Sequence, residues 1–90
     1  MPERRVVVGS KVGLHARPAA IFVQAAAKQP VRVSIAKGDG GAPVDARSIL
    51  AVLGLDVRGG QEVVLTAEGE AAETALDELA EVVATDHDAT

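Results

Sequence analysis

Apolar and polar residues alternate along four stretches of the chain, which predicts four β-strands. RRVVVG places Val6 and Val8 on one side of an extended backbone and Val7 on the other. VRVSIAK and EVVLTAE alternate in the same way, and a GDGG turn at 38–41 lets a short strand return over 42–45. Because alternating strands bury one face and expose the other, we expect a largely antiparallel sheet.

Three further stretches repeat their apolar residues at helical spacing. The first helix is predicted to open near Pro18, which needs no N–H partner in a first turn, and to end at Pro30. The second, ILAVLGL, follows Ser48 as its N-cap and stops at Gly54. The buried stripes of the first and last helices are Ala19, Phe22, Val23 and Ala26, and Ala72, Leu76, Leu79 and Val83. Each helix therefore has one apolar face that needs cover.

The predicted order of elements is β-α-β-β-α-β-α. Because the helical stripes and one face of the sheet all need cover, the three helices are expected on the same face. The fold class is then α+β, an open-faced two-layer sandwich with a four-stranded, largely antiparallel sheet. Residues 1–90 are expected to form one domain with a disordered tail from about residue 86. No metal is expected at the DHD stretch of that tail, where further fixed ligands are missing.

Composition narrows the classes of function. Nine Lys and Arg against thirteen Asp and Glu give a net charge of −4, which would repel a nucleic-acid backbone. One Phe and no Tyr or Trp leave little with which to stack a nucleobase. The chain has no cysteine, so it has neither disulfides nor thiolate metal sites. Without an apolar run of about 18 residues, no membrane insertion is expected, and we expect a cytoplasmic protein.

The stretch GLHARPAA, residues 13–20, contains the residues with the clearest chemistry. His15 lies shortly before Pro18, near the start of the predicted helix, whose N-terminal amides and dipole favour an anion and disfavour a second positive charge on the ring. Arg17 adds a permanent cation suited to phosphate oxygens. Gly13 allows a sharp turn before the histidine. These parts could accept a phosphoryl group on nitrogen, but on local pattern alone a histidine here is more often a helix cap or an ordinary surface residue.

Two motifs resemble a known family in the right order. GLHARPAA is similar to the active-site stretch of HPr, the histidine phosphocarrier family of the bacterial sugar phosphotransferase system. VDARSILAVLGLDVRGGQEVVLTAEGE resembles the second motif of the same family. The resemblance implies that enzyme I, using phosphoenolpyruvate, phosphorylates His15 on Nδ1 and that enzyme IIA then receives the phosphoryl group for sugar uptake. It further implies that Arg17 and the backbone amides of Ala16 and Arg17 hold the phosphate.

The resemblance also implies a regulatory site and a partner surface. Ser48 lies where many relatives carry a serine that a separate ATP-dependent kinase or phosphorylase modifies, although it could instead serve only as an N-cap. The expected partner interface consists of Ala16, Arg17, Ala20, Gln24, Arg47, Ile49, Leu50 and Leu53. Leu50 and Leu53 could alternatively be buried in the core.

The sequence is therefore interpreted as a monomeric carrier, not an enzyme, that uses no cofactor and exchanges a phosphoryl group with enzyme I and enzyme IIA. An alternative is a regulatory interaction module controlled by phosphorylation of His15 or Ser48, without onward transfer. A histidine phosphohydrolase is disfavoured, because no second histidine or positioned carboxylate near the motif is expected to act as a general acid.

Overall fold

The computed structural model describes residues 2–85, so the predicted tail from about residue 86 and its DHD stretch lie outside the described residues. The order of elements is the predicted one. The strands are β1 (Glu3–Val7), β2 (Val33–Lys37), β3 (Val44–Asp45) and β4 (Glu62–Ala67), and the helices are α1 (Ala16–Ala27), α2 (Ile49–Gly54) and α3 (Ala72–Ala84). None of the helices in this part of the chain is long and apolar enough to cross a membrane.

The four strands form one antiparallel sheet in the order β1-β4-β2-β3. In the central strand β4, Val63, Leu65 and Ala67 are buried while the residues between them are partly exposed, which confirms the predicted alternation. The strand β3 is shorter than the predicted 42–45. Pro43 has no N–H to donate to the sheet, so pairing begins only at Val44.

The helices cover one face of the sheet, as predicted. The last helix, α3, packs against β1 and β4, and α1 packs against both α3 and α2. The stripes predicted for α1 and α3 lie in the core, with Val23 only partly buried. Phe22 is the largest fully buried side chain, and it lies among small Ala and branched Val and Leu residues. The core thus lies between the helices and the sheet.

The start of the first helix differs from the prediction, whereas the second helix ends at the predicted glycine. The first helix begins at Ala16, two residues before Pro18, because His15 is extended and already occupies the N-cap position. The second helix does end at Gly54, but the left-handed residue that follows it is Asp56, with φ +52°. Glycine is the usual residue in such a conformation. Asp56 therefore adopts a left-handed conformation that is usually found for glycine after a helix.

Candidate functional site

Two loop segments lie side by side at one end of the sheet, one directly after β1 and the other directly before β4. We call residues 8–16 and 56–61 the loop junction. Backbone hydrogen bonds join the two segments, so each fixes the position of the other. From N–H donor to carbonyl acceptor, these bonds are Val8 to Gln61 at 2.9 Å, Leu14 to Val57 at 2.9 Å and Gly60 to Val8 at 3.0 Å.

Two glycines permit the close approach of these loops. A Cβ atom on Gly13 would lie 2.1 Å from the carbonyl oxygen of Val57, and one on Gly59 would lie 2.5 Å from that of Ser10. Gly13 also has φ +76°, which L side chains rarely adopt. The predicted turn at Gly13 is therefore confirmed, and the packing of backbone against backbone fixes the residue after Leu14.

That residue is His15, whose backbone is extended with φ −130° and ψ 159° at the N-cap of α1. Its side chain makes no capping hydrogen bond, so His15 occupies the N-cap position without using its ring to cap the helix. The next residue, Ala16, has φ +49°, a conformation that is uncommon outside glycine. The first-turn donors are the amides of Ala16 and Arg17, which have no intrahelical acceptor, whereas Pro18 has no N–H. The His15 side chain is 38% exposed, and it belongs to the residue directly before these free amides.

A carboxylate lies next to the histidine. Asp56 Oδ1 is 3.3 Å from His15 Nε2, and Arg58 Nη2 is 3.7 Å from Asp56 Oδ2. The expectation that no positioned carboxylate lies near the motif is therefore wrong. A shallow depression of about 310 Å³ opens at this point, and its lining residues are Lys11, Val12, His15, Asp56 and Arg58.

The sequence analysis did not identify Lys11, Asp56 and Arg58. These residues lie in loops, and the spacing of apolar residues does not show which loops contact each other. The available signal was the DVRGG stretch, in which two charged residues follow a short helix at a place where glycine is usual. Among residues 2–85, no three His, Asp, Glu or Cys side chains converge in a way that could hold a metal ion.

The two predicted basic contacts differ in their surroundings. Arg17 is exposed, and its guanidinium makes no hydrogen bond or ion pair with residues 2–85. Arg47 donates its backbone N–H to Asp45 Oδ1 at 2.9 Å, and its Nε lies 3.5 Å from the same oxygen. Arg17 is therefore available to an anion, whereas Arg47 already has a carboxylate partner.

Ser48 is the N-cap of α2, as predicted. Its Oγ accepts a hydrogen bond from the N–H of Ala51 at 3.3 Å, and its side chain is partly buried. Because α2 packs against α1, Ser48 begins a helix that neighbours the one after His15. The serine thus caps its helix.

The predicted partner residues form no uniform surface. Leu50 is 81% exposed, so its assignment to the core is wrong, and Ile49 is 38% exposed. Leu53 packs partly buried against the core. Ala16 and Gln24 on α1 are exposed and Ala20 is partly buried. Two large apolar side chains in the first turn of α2 are therefore open to solvent.

Two charge clusters lie outside the loop junction. The backbone N–H of Arg47, followed by the Arg47 side chain, holds the pKa of Asp45 below its ordinary value. Hydrogen bonds to Glu73 and Asp77, at 2.6 Å and 3.0 Å, raise the pKa of Arg4. The second group links β1 to α3. These charge clusters support the scaffold around the site.

Comparison with known proteins identifies the family. Residues 2–85 match the model described as the PTS HPr component phosphorylation site. The phosphocarrier protein HPr of Streptomyces coelicolor is 60% identical over 84 residues, covering 93% of this chain and 89% of that protein. The HPr of Haloferax volcanii is 46% identical, covering 92% and 93%. A crystal structure of HPr from Bacillus anthracis superposes with a TM-score of 0.84 at 41% identity, covering 91% and 95%. The chain therefore belongs to the HPr family of phosphocarrier proteins of the phosphotransferase system.

Proposed function

We propose that Nδ1 of His15 accepts a phosphoryl group from phosphorylated enzyme I and passes it to an enzyme IIA. The phosphoryl group originates in phosphoenolpyruvate, and the protein acts as a cytoplasmic, monomeric carrier without a cofactor. The observation that carries this proposal is the placement of His15, a partly exposed ring at a helix N-terminus whose side chain is not used as a cap. Such a ring is open to two different partners in turn.

The first turn of α1 supports phosphate binding. The amides of Ala16 and Arg17 lack intrahelical acceptors, and the partial positive charge of the helix end favours an anion beside them. The guanidinium of Arg17 has no other partner among the described residues and can donate two hydrogen bonds to phosphate oxygens. We therefore assign phosphate stabilisation to Arg17 and to these two amides.

Docking is assigned to the surfaces of α1 and α2. Leu50 and Ile49 expose apolar area at the start of α2, which packs against the helix that follows His15. Exposed apolar side chains beside a polar site are typical of protein–protein contacts. Arg17 would meet acidic groups of the partner at the rim of this surface, and Ala16, Ala20, Gln24, Arg47 and Leu53 complete the proposed interface.

Ser48 is proposed as a regulatory phosphorylation site for a serine kinase and phosphorylase. A phosphate there adds about −1.5 to −2 charges at pH 7, which the N-terminus of α2 tolerates. The added charge would repel an acidic partner surface while leaving the fold intact. Ser48→Asp should therefore retain the helix content of the wild type and slow phosphoryl transfer from enzyme I. An unimpaired rate would leave the serine with a capping role alone.

The decisive experiment follows a labelled phosphoryl group. The protein is incubated with enzyme I and labelled phosphoenolpyruvate, then with an enzyme IIA. Wild-type protein should gain an acid-labile, base-stable label and lose it to enzyme IIA, whereas His15→Ala should gain none. Label on His15→Ala would contradict the assignment. Label that enters the wild type but never reaches enzyme IIA would favour the regulatory module.

Arg17→Ala tests the phosphate-stabilising role. Because Arg17 is exposed and has no partner, its removal should slow transfer while leaving Tm nearly unchanged. Lys28→Ala is a matched control, since this exposed cation follows the opposite end of the same helix. Equal rates for the two variants, or a large loss of stability with normal transfer, would remove Arg17 from the site.

A further inference from the structure

The contact between His15 and Asp56 has no part in the carrier role proposed above. Asp56 has φ +52°, where glycine would be free of strain, and its Oδ1 lies 3.3 Å from His15 Nε2. Its other oxygen, Oδ2, lies 3.7 Å from Arg58 Nη2. One oxygen of the carboxylate thus lies near a ring nitrogen, and its other oxygen lies near an arginine.

We propose that Asp56 is a positioning residue for phosphoryl transfer at His15, which rests on the proposed function. The proposed contact is a hydrogen bond from His15 Nε2–H to Asp56 Oδ1 across this separation of 3.3 Å. That contact favours the tautomer with its proton on Nε2, so that the lone pair is on Nδ1, the nitrogen assigned as the phosphoryl acceptor. A separation of 3.3 Å is ordinary for a site without its reaction partner, where such bonds are often long.

The same carboxylate compensates the charge that transfer creates. The Nδ1 lone pair forms the N–P bond while the bond between phosphorus and the donor breaks and the leaving group keeps its electron pair. The ring then carries a positive charge with its proton still on Nε2, opposite Asp56. In the onward step the N–P bond breaks, its electron pair returns to Nδ1, and the ring is neutral again. No proton moves in either step, so the residue acts by orientation and charge.

Other charged groups at the depression do not replace this role. Lys11 and Arg58 line it with His15, but both are cations and cannot accept a hydrogen bond from Nε2–H. Arg58 instead lies 3.7 Å from the other oxygen of the carboxylate. Within residues 2–85, Asp56 is the acidic residue in contact with the His15 ring.

Asp56→Gly and Asp56→Asn test the proposal in protein that folds. Glycine removes the acceptor and suits the positive φ, while asparagine keeps the shape and an oxygen acceptor but loses the charge. Asp39→Asn is the matched control, because it makes the same charge change at an exposed hairpin residue. Circular dichroism should show the same fold for all three variants.

The first readout is the ¹⁵N NMR signature of the His15 ring in the unphosphorylated protein. The wild type and Asp39→Asn should show the Nε2–H tautomer in excess, and Asp56→Gly should shift the mixture towards Nδ1–H. This measurement needs no transfer partner. It therefore tests the hydrogen bond even if His15→Ala overturns the carrier function.

The second readout separates kcat from KM in transfer from enzyme I. We expect Asp56→Gly to lower kcat by about tenfold, the scale of one hydrogen bond to a charged group, with little change in KM. Asp56→Asn, which keeps an acceptor, should fall between Asp56→Gly and the wild type. A wild-type tautomer ratio in Asp56→Gly, or a kcat equal to that of Asp39→Asn, would overturn the proposal.

Discussion

On the helix-covered face of the sheet, most buried positions lie in regular helix and strand, and they are filled by Val, Leu, Ile, Ala and one Phe. At the loop junction, the lining of the depression is mostly charged, and the backbone departs from the common conformations. The two non-glycine residues with positive φ among residues 2–85 are Ala16 and Asp56, and they flank His15 from either segment. Strained backbone persists where the surrounding structure holds it, and it concentrates at functional sites. The core therefore stabilises the fold, and the backbone of the loop junction sets the position of His15.

The largest expected effect on stability comes from the core. Phe22→Ala should lower the free energy of unfolding by about 3–5 kcal/mol, because it leaves a cavity where Phe22 was fully buried. Leu50→Ala is the matched control in another helix, with a side chain that is 81% exposed, and should change stability by less than about 0.5 kcal/mol. Urea denaturation measures both. Similar losses would break the contrast between buried and exposed apolar residues.

The next effect tests the close approach of the two loops. Gly13→Ala and Gly60→Ala both force alanine into positive φ, at +76° and +85°. A Cβ on Gly60 meets nothing within 4 Å, whereas one on Gly13 would lie 2.1 Å from a carbonyl oxygen. Gly13→Ala should therefore cost about 1–3 kcal/mol more in unfolding free energy. Because the clash moves the segment that carries His15, it should also slow phosphoryl transfer. Equal costs would mean that the loops separate without resistance.

A smaller effect is expected where α2 connects the two regions. Ser48→Ala removes the oxygen that accepts from the N–H of Ala51 and should cost about 0.5–2 kcal/mol in unfolding free energy. Ser48→Asp keeps a capping oxygen and should stay within about 0.5 kcal/mol of the wild type. Thermal denaturation followed by circular dichroism gives both values. If the two variants were equally unstable, the serine oxygen would not stabilise this helix end.

The smallest effect belongs to a charge cluster away from the junction. The pKa of Asp45 is lowered, chiefly by the backbone N–H of Arg47. Its contribution to stability is thus complete above the ordinary value of 3.8 and is lost as the pH falls from there through the lower folded pKa. Because water screens this half-exposed group, the loss should be about 0.2–1 kcal/mol. Asp45→Asn should lack this part of the acid dependence in urea titrations between pH 5 and about pH 2. An unchanged acid dependence would assign it to other carboxylates.

Periodicity predicted the scaffold well because burial repeats every two or 3.6 residues along each element. That is why the faces of β4 and α1 were correct. The motif located His15 and Arg17, and capping chemistry located Ser48. A six-residue helix is too short for periodicity to separate its faces, so Leu50 could not be distinguished from Leu53.

Asp56 could not be predicted for a different reason. Its contact with His15 depends on two loops that are about 40 residues apart in the chain and meet only through glycine-enabled backbone packing. No local pattern carries that information. The stretch looked like an ordinary helix ending followed by a turn, and the left-handed conformation of an aspartate became visible only in the folded chain.

The pairing of β1 with β4 sets when the site comes into existence. Val7 pairs with Glu62 and Glu3 with Thr66, so the first strand must wait for a partner that lies 55–63 residues further along the chain. At synthesis rates of about 5–20 residues per second, that partner follows roughly 3–13 seconds later. The two segments around His15 are extensions of these same strands, so they assemble only when this long-range pairing closes. Competence to receive a phosphoryl group should therefore appear only after β4 has been synthesised and has paired with β1.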